Sequence, residues 1–269
     1  MKKIFFLVAI LAFSASCFAQ EKTKSKRQEK REKRKEKVET MLKLEEEGVI
    51  VNKKHFLGAI KLNSDGYGGF IEKGIAQSVN KAMLFQLEIS ERKHPKEIKE
   101  VGLQGGGAYF YGKINFFYPV KLGVQQQFLL GNKGNKNGVS VSANFGGGLT
   151  LGLLRPYLLG YPDTAISNKG NIIYKGLEPN KTDSLKFISD VAIGGPAFGV
   201  GYNKIKVNLG AYAKAALRFD YGKYNEIISA LELGFIAEYY GKPVQQMIYS
   251  KDNNFFFSAY VAILFGRRK

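Results

Sequence analysis

Tryptophan is absent from this 269-residue chain, cysteine occurs once and histidine twice. No CxxC is present, so zinc, iron–sulfur and haem sites lack their usual ligands, and neither a metal nor a cofactor is expected. No Gly-Lys pair is followed by Ser or Thr, which excludes a phosphate-binding loop of that kind. Past the first twenty residues no apolar run is long enough to cross a bilayer as a helix. What the chain does have is 45% apolar residues, too many for a disordered polymer, and 41 Lys+Arg against 23 Asp+Glu, a formal charge of +18.

The single cysteine lies in an export signal. Met1-Lys2-Lys3 is a positive start, Ile4 to Phe13 an apolar run, and Ser14 to Ala19 a small-residue stretch, which together read as a signal peptide over 1–19 cleaved after Ala19. Lipidation at Cys17 is disfavoured, because Ser14 stands three residues before it where such signals usually carry an aliphatic residue. Cleavage removes Cys17, so no disulfide braces the mature chain and its stability has to come from burial and backbone pairing.

Residues 20–52 form a charged arm. From Gln20 to Glu47 there are eleven Lys/Arg and eight Asp/Glu, with almost nothing apolar before Val38. Glu and Lys three or four apart support at most a solvated helix, so the arm is expected to be partly helical or disordered. A solvated tether is the plain reading. The sharper one is a basic arm that touches anionic headgroups or docks an acidic periplasmic or outer-membrane protein. Nucleic acid is not expected as a partner of an exported chain.

From residue 53 onward the apolar residues recur with period two. Leu209, Ala211, Ala213, Ala215, Leu217, Phe219 and Tyr221 alternate with Gly210, Tyr212, Lys214, Ala216, Arg218 and Asp220. Leu231, Leu233, Phe235, Ala237 and Tyr239 alternate with Glu232, Gly234, Glu238 and Tyr240. The stretches from Ile114 to Val124 and from Val139 to Leu153 behave alike, and 55–64, 67–75, 82–92 and 254–266 fit less cleanly. This is strand patterning with one apolar face, and it predicts an all-β, antiparallel, up-and-down barrel of eight strands over 53–269. Ten would result if 162–208 holds a further hairpin, for example Phe198 to Tyr202 with Ile205 to Asn208. A short helix is expected over Asp183 to Ile193.

A soluble barrel turns its apolar face inward and a transmembrane one turns it to lipid. Three features favour lipid: strands of ten or more residues; aromatic residues near strand ends (Tyr109, Phe110, Tyr111, Tyr157, Tyr161, Tyr239, Tyr240); and export without a spanning helix. Connection lengths agree. With both termini periplasmic, the turns at 76–81, 131–138 and 222–226 lie inside and the long connections 93–110, 162–208 and 242–253 outside, as outer-membrane barrels arrange them. Residues 63–66 are the short exception. The expected location is the outer membrane, in contact with its lipids.

In that frame Lys61, Glu88, Lys113, Lys121, Lys214, Arg218, Asp220, Glu232 and Glu238 point into the lumen. Both signs are present, so they read as a plug of paired charges. Lys133, Lys136, Lys223, Arg267, Arg268 and Lys269 make the periplasmic rim basic, with Glu72 counted among its few acids. Headgroup anchoring or an acidic partner would each suit that face.

Catalytic groups are sparse. His55 falls at the inner end of the first strand and His94 in an outer loop, so they do not share a site. His94 with Ser90 or Glu97 is the one nucleophile–base–acid arrangement the sequence offers. Glu232 and Glu238, six apart on one strand face, stand roughly 20 Å apart at ~3.3 Å per residue, too far for joint acid/base work.

Lys93-His94-Pro95-Lys96-Glu97, Thr150 to Tyr157, Lys214 to Gly222 and Phe265 to Lys269 resemble a family of small outer-membrane β-barrel proteins of Bacteroidota. The resemblance runs over about 50–269 and implies a location and a fold, with no catalytic residues. The basic C-terminal tail departs from barrels that end on an aromatic residue, and Phe265 stands in for it. The expected role is non-enzymatic, a structural or accessory subunit of an envelope protein assembly or secretion machine. A lipid-modifying barrel enzyme and a narrow channel or ligand-binding barrel are the rival classes.

Overall fold

The computed structural model describes Glu32 and residues 54–101, 107–133, 138–162, 172–176, 194–222, 227–248 and 250–268. The signal segment, the rest of the arm and the helix expected over 183–193 lie outside the described residues. Glu32 itself is helical and exposed.

Twelve strands follow in order: β1 Lys54–Asn63, β2 Gly66–Ser78, β3 Lys81–Arg92, β4 Lys99–Val101, β5 Ala108–Phe110, β6 Asn115–Gly131, β7 Ser140–Pro156, β8 Leu158–Pro162, β9 Ile172–Gly176, β10 Lys206–Asp220, β11 Ile227–Val244 and β12 Asn253–Arg268. Eight of them close into a barrel, β1-β12-β11-β10-β7-β6-β3-β2. Every neighbouring pair in the ring is antiparallel, so the sheet closes on itself and no edge strand remains. The shortest wall strand, β1, has 10 residues. At ~3.3 Å per residue and a tilt of about 40°, ten residues cross about 25 Å, the height of a barrel's apolar band.

The extra pairing lies elsewhere than expected. Phe198 to Tyr202 is a turn leading into a short 3-10 helix at Tyr202–Lys204, and Lys206 to Asn208 already belongs to β10. The two small hairpins outside the ring are β4–β5 and β8–β9, both on the long-connection side. The first connection on that side is a tight turn, Asn63 pairing with Gly66.

The apolar side of the wall faces out. Leu149 and Leu209 are 70% and 69% exposed, Phe235 56% and Leu217 44%, while Arg218 and Glu232 between them are buried. Inside, apolar residues still contribute: Leu57, Phe70, Tyr212, Ile236, Tyr260 and Leu264 form a central cluster, and Phe117, Leu154, Tyr240 and Val244 a second one. The large rings fit because inward glycines make room. A side chain at Gly152 would meet the rings of Phe117 and Tyr240, one at Gly123 the Tyr212 hydroxyl, and one at Gly234 the Tyr260 ring. Alternation of small and large inward residues is how a narrow barrel fills itself.

Two of the strand-end aromatics are buried. Tyr240 is buried within the barrel because it falls on the even, inward phase of β11, and Tyr157 is buried against Phe110 and Phe116 where the chain leaves β7. Ile114, expected on the lipid side, is buried because it lies before β6 and hydrogen-bonds through its amide to the Gln246 carbonyl.

Candidate functional site

Inward positions on β1, β2, β3, β6, β10 and β11 bring their charges together along the barrel axis. Nearest the short-turn end, Arg218 donates through Nη1 and Nη2 to the two carboxylate oxygens of Glu72, both at 2.8 Å, and through Nε to Glu232 at 2.8 Å. Glu232 is further held by Lys214 at 2.9 Å, by the Tyr260 hydroxyl at 2.6 Å and by Asn144 at 3.1 Å. Lys214 also donates to Gln86, and Gln86 to Glu88 at 3.2 Å. Glu88 accepts from Lys61 at 2.5 Å and from Lys121 at 2.9 Å, and Lys121 reaches on to Glu238 at 2.9 Å. Arg92 closes the series, binding Glu238 at 2.9 Å and Asp65 at 2.5 Å.

Asp65, Glu72, Glu88, Glu232 and Glu238 thus balance Lys61, Arg92, Lys121, Lys214 and Arg218 within the series. Charges withdrawn from water are tolerable only when paired and hydrogen-bonded, and here every cation has a carboxylate. Rings fill what is left: Lys61 lies 4.5 Å over Tyr260, Lys214 4.7 Å over Phe70, and Arg92 4.6 Å over Phe256. Glu232 and Glu238 are engaged with different cations and do not face one another.

Sequence reasoning missed three members. Glu72 was counted with the rim, yet it shares the even phase of β2 with Phe70 and Gly74 and is buried. Arg92 ends the even, inward phase of β3, where the strand pattern over 82–92 already places it, while Asp65 lies in the 63–66 connection and is drawn in by its pairing with Arg92. Lys113 is the opposite case. It is buried, but outside the ring, paired with Glu97 at 2.8 Å and set 4.2 Å over Phe116. Burial there pushes its ammonium pKa down despite Glu97.

At the short-turn mouth, Asp220 binds Lys133 at 3.4 Å and pairs with Arg268. Both cations were expected to project from a basic face, and both instead fold over the opening, because Asp220 is the carboxylate within reach. Arg267 is exposed, whereas Lys136, Lys223 and Lys269 lie outside the described residues. Behind this latch is a vestibule of about 120 Å³, lined by His55, Ser142, Arg218 and Asp220 together with Leu129 and Ile228. Among these lining residues, Arg218 holds Glu72. His55 Nε2 lies 3.1 Å from Glu72.

The opposite mouth carries a Ser–His contact. His94 Nε2 stands 3.0 Å from Ser250 Oγ, while the Lys96 amide donates to Nδ1 at 3.1 Å. Ser90, the serine named from sequence, is buried on the inward face of β3. Since the Lys96 amide can only donate, Nδ1 is the unprotonated nitrogen, and Nε2 carries the proton and donates it to Ser250. Glu97 accepts from the His94 backbone amide, not from the ring. A serine nucleophile needs the reverse polarity, with Nδ1–H held by an acid and a free lone pair on Nε2.

Desolvation lowers the His94 pKa below its ordinary 6.5. The neutral ring is therefore the native form, and its contribution is complete above pH 6.5 and is lost as pH falls through the depressed value. An NMR titration is expected to place the His94 midpoint below 6.5, with the Lys96 amide shifting at the same midpoint as Nδ1 turns from acceptor to donor. A midpoint at or above 6.5 would contradict the wiring.

No protein-family model matches this chain, and no curated protein sequence does. Among solved structures, Neisserial surface protein A aligns with a TM-score of 0.33 and 11% identity, over 80% of this chain and 94% of that one. The N-terminal β-barrel domain of OprF from Pseudomonas aeruginosa aligns with a TM-score of 0.34 and 11% identity, over 80% of this chain and 98% of that one.

Proposed function

We propose that this chain is an integral outer-membrane protein with both termini in the periplasm, acting without catalysis as a structural or accessory subunit of an envelope protein assembly or secretion machine. The observation that carries the reading is the contrast between the two sides of the wall: exposed Leu, Ile and Phe outside, paired charges and rings inside. An eight-stranded ring leaves space for its own side chains only, and these fill it from Arg218 to Arg92, which favours an anchor over a conduit. The reversed hydrogen-bond polarity at His94 speaks against the lipid-modifying alternative.

With the lumen occupied, the surfaces left for function are the outer connections and the basic arm at 20–47. Eleven cations against eight acids, with almost nothing apolar before Val38, suit an acidic periplasmic partner. Affinity purification of the full chain and of a 20–47 deletion, in mild detergent, tests this. The full chain is expected to bring down a stoichiometric envelope protein that the deletion loses and that high salt releases. A full chain that purifies alone, or an unchanged partner set on deletion, would remove the accessory role.

A further inference from the structure

Arg155 sits on the outward face of the wall. It is paired across strands with Phe116, two residues beyond the Leu153–Tyr118 pair and four beyond Leu151–Val120, whose side chains look away from the lumen. At the long-connection rim it should be in contact with the surroundings, yet it is only 9% exposed. Three rings account for that. Its guanidinium carbon lies 4.2 Å from the centroid of Phe116, 4.6 Å from Tyr202 and 5.8 Å from Tyr118. Rings cover the faces of a guanidinium, while its N–H donors lie along the edge. Nε is buried with no hydrogen-bond partner, and among the described residues no carboxylate comes within ion-pair distance. Glu91, the acid near Tyr118, is occupied by the Tyr67 hydroxyl at 2.6 Å.

An outward arginine beside hydrocarbon needs an anion, and the fold presents this one with its faces covered and its Nε unpaired among the described residues. The segment that supplies Tyr202 adds two further features. Lys204 and Lys206 are exposed on it, and Phe198 is 100% exposed at its tip, held there by Gly199 and Gly201 at φ of 89° and 88°. Cations beside a bare apolar tip, at the edge of an apolar band, match one kind of neighbour: an amphiphile with an anionic head and acyl chains.

We infer that Arg155, caged by Phe116, Tyr118 and Tyr202, binds the phosphate of an outer-leaflet glycolipid, with Phe198 seated among its acyl chains. The leaflet rests on the orientation given under Proposed function; the phosphate site does not.

The probe is lipid A, phosphorylated or enzymatically dephosphorylated, doped into phosphatidylcholine nanodiscs that hold the full chain, with retained lipid read by native mass spectrometry. Phosphorylated lipid A is expected to be retained over its dephosphorylated form. Arg155→Gln is expected to lower that retention by about tenfold or more, and Arg155→Lys, which keeps the charge but loses the bidentate fork, by less. Heat-modifiable gel mobility reports that each variant is folded, and if Arg155→Gln fails to fold, Arg155→Lys and the two lipids still decide. Equal retention of the two lipids, or an unchanged folded Arg155→Gln, would overturn the site. Displacement of lipid A by inorganic phosphate would reduce it to an adventitious ion only.

Orientation is read separately. Lys204→Cys, on the exposed polar part of the same segment, is expected to react with a membrane-impermeant maleimide in intact cells. If it reacts only after lysis while the phosphate preference persists, the orientation falls and the site stands. If it reacts in intact cells while the preference is absent, the site falls and the orientation stands.

Discussion

Arg218→Met is expected to destabilise the barrel by about 3–5 kcal/mol, the cost of leaving buried charge uncompensated. The loss falls unevenly on its two partners. Glu232 keeps Lys214 at 2.9 Å, the Tyr260 hydroxyl at 2.6 Å and Asn144 at 3.1 Å. Glu72 keeps only His55, at 3.1 Å. Neutralising the orphan should therefore rescue more than neutralising the well-held partner. Glu72→Gln on the Arg218→Met background is expected to restore most of the stability, and Glu232→Gln little, since it also strips Lys214 of its carboxylate. Denaturant titration of protein refolded in lipid vesicles, carried around both double-mutant cycles, measures this, with coupling of about 0.5–3 kcal/mol between Arg218 and Glu72. A loss under about 1 kcal/mol, or equal rescue by the two substitutions, would mean that the interior charges are separately solvated and do not form a connected plug.

How much of this could be seen in the sequence depends on how many constraints each residue obeys locally. Arg218 and Glu232 sit in long, clean alternations, so their phase, and hence their burial, followed from period two alone. Glu72 obeys the same rule in β2, but Gly66, Gly68, Gly69 and Gly74 blur the alternation there and the residue passed for a rim acid. Glycines in a strand look like breaks in a pattern until it is known that a neighbour's ring lies over them, as the His55 ring does over Gly74. Arg92 closes the even phase of β3, but its partners lie out of local reach: Asp65 in the first turn and Glu238, 146 residues away.

The same limit hid the cage at the long-connection rim. Arg155, Phe116 and Tyr202 lie on β7, β6 and the segment before β10, and nothing in their spacing announces that three elements converge on one guanidinium. The inward folding of Lys133 and Arg268 was equally invisible, because a basic terminus beside a basic turn reads as a cationic face until Asp220 is located beneath it. Pattern thus supplied the wall and most of the lumen, and long-range pairing supplied both ends.

Arginine substitutions on β11 test the outward face itself. Phe235 and Tyr239 point the same way, four residues or about 13 Å apart along the strand. Phe235 lies at the middle of β11, opposite Ala215 on β10 and Ala259 on β12, whereas Tyr239 lies toward the long-connection rim. If the face meets lipid, Phe235→Arg is expected to cost about 2–4 kcal/mol and Tyr239→Arg about 0–1, because a charge at midplane is stranded in hydrocarbon while one near the interface reaches the headgroups. If the face met water instead, both residues would be ordinary exposed positions, and each substitution would stay within about 0.5 kcal/mol. Unfolding titrations in bilayers read the difference directly. A depth-independent result would put Phe235 in water, and with it the reading of this protein as a membrane barrel would fail.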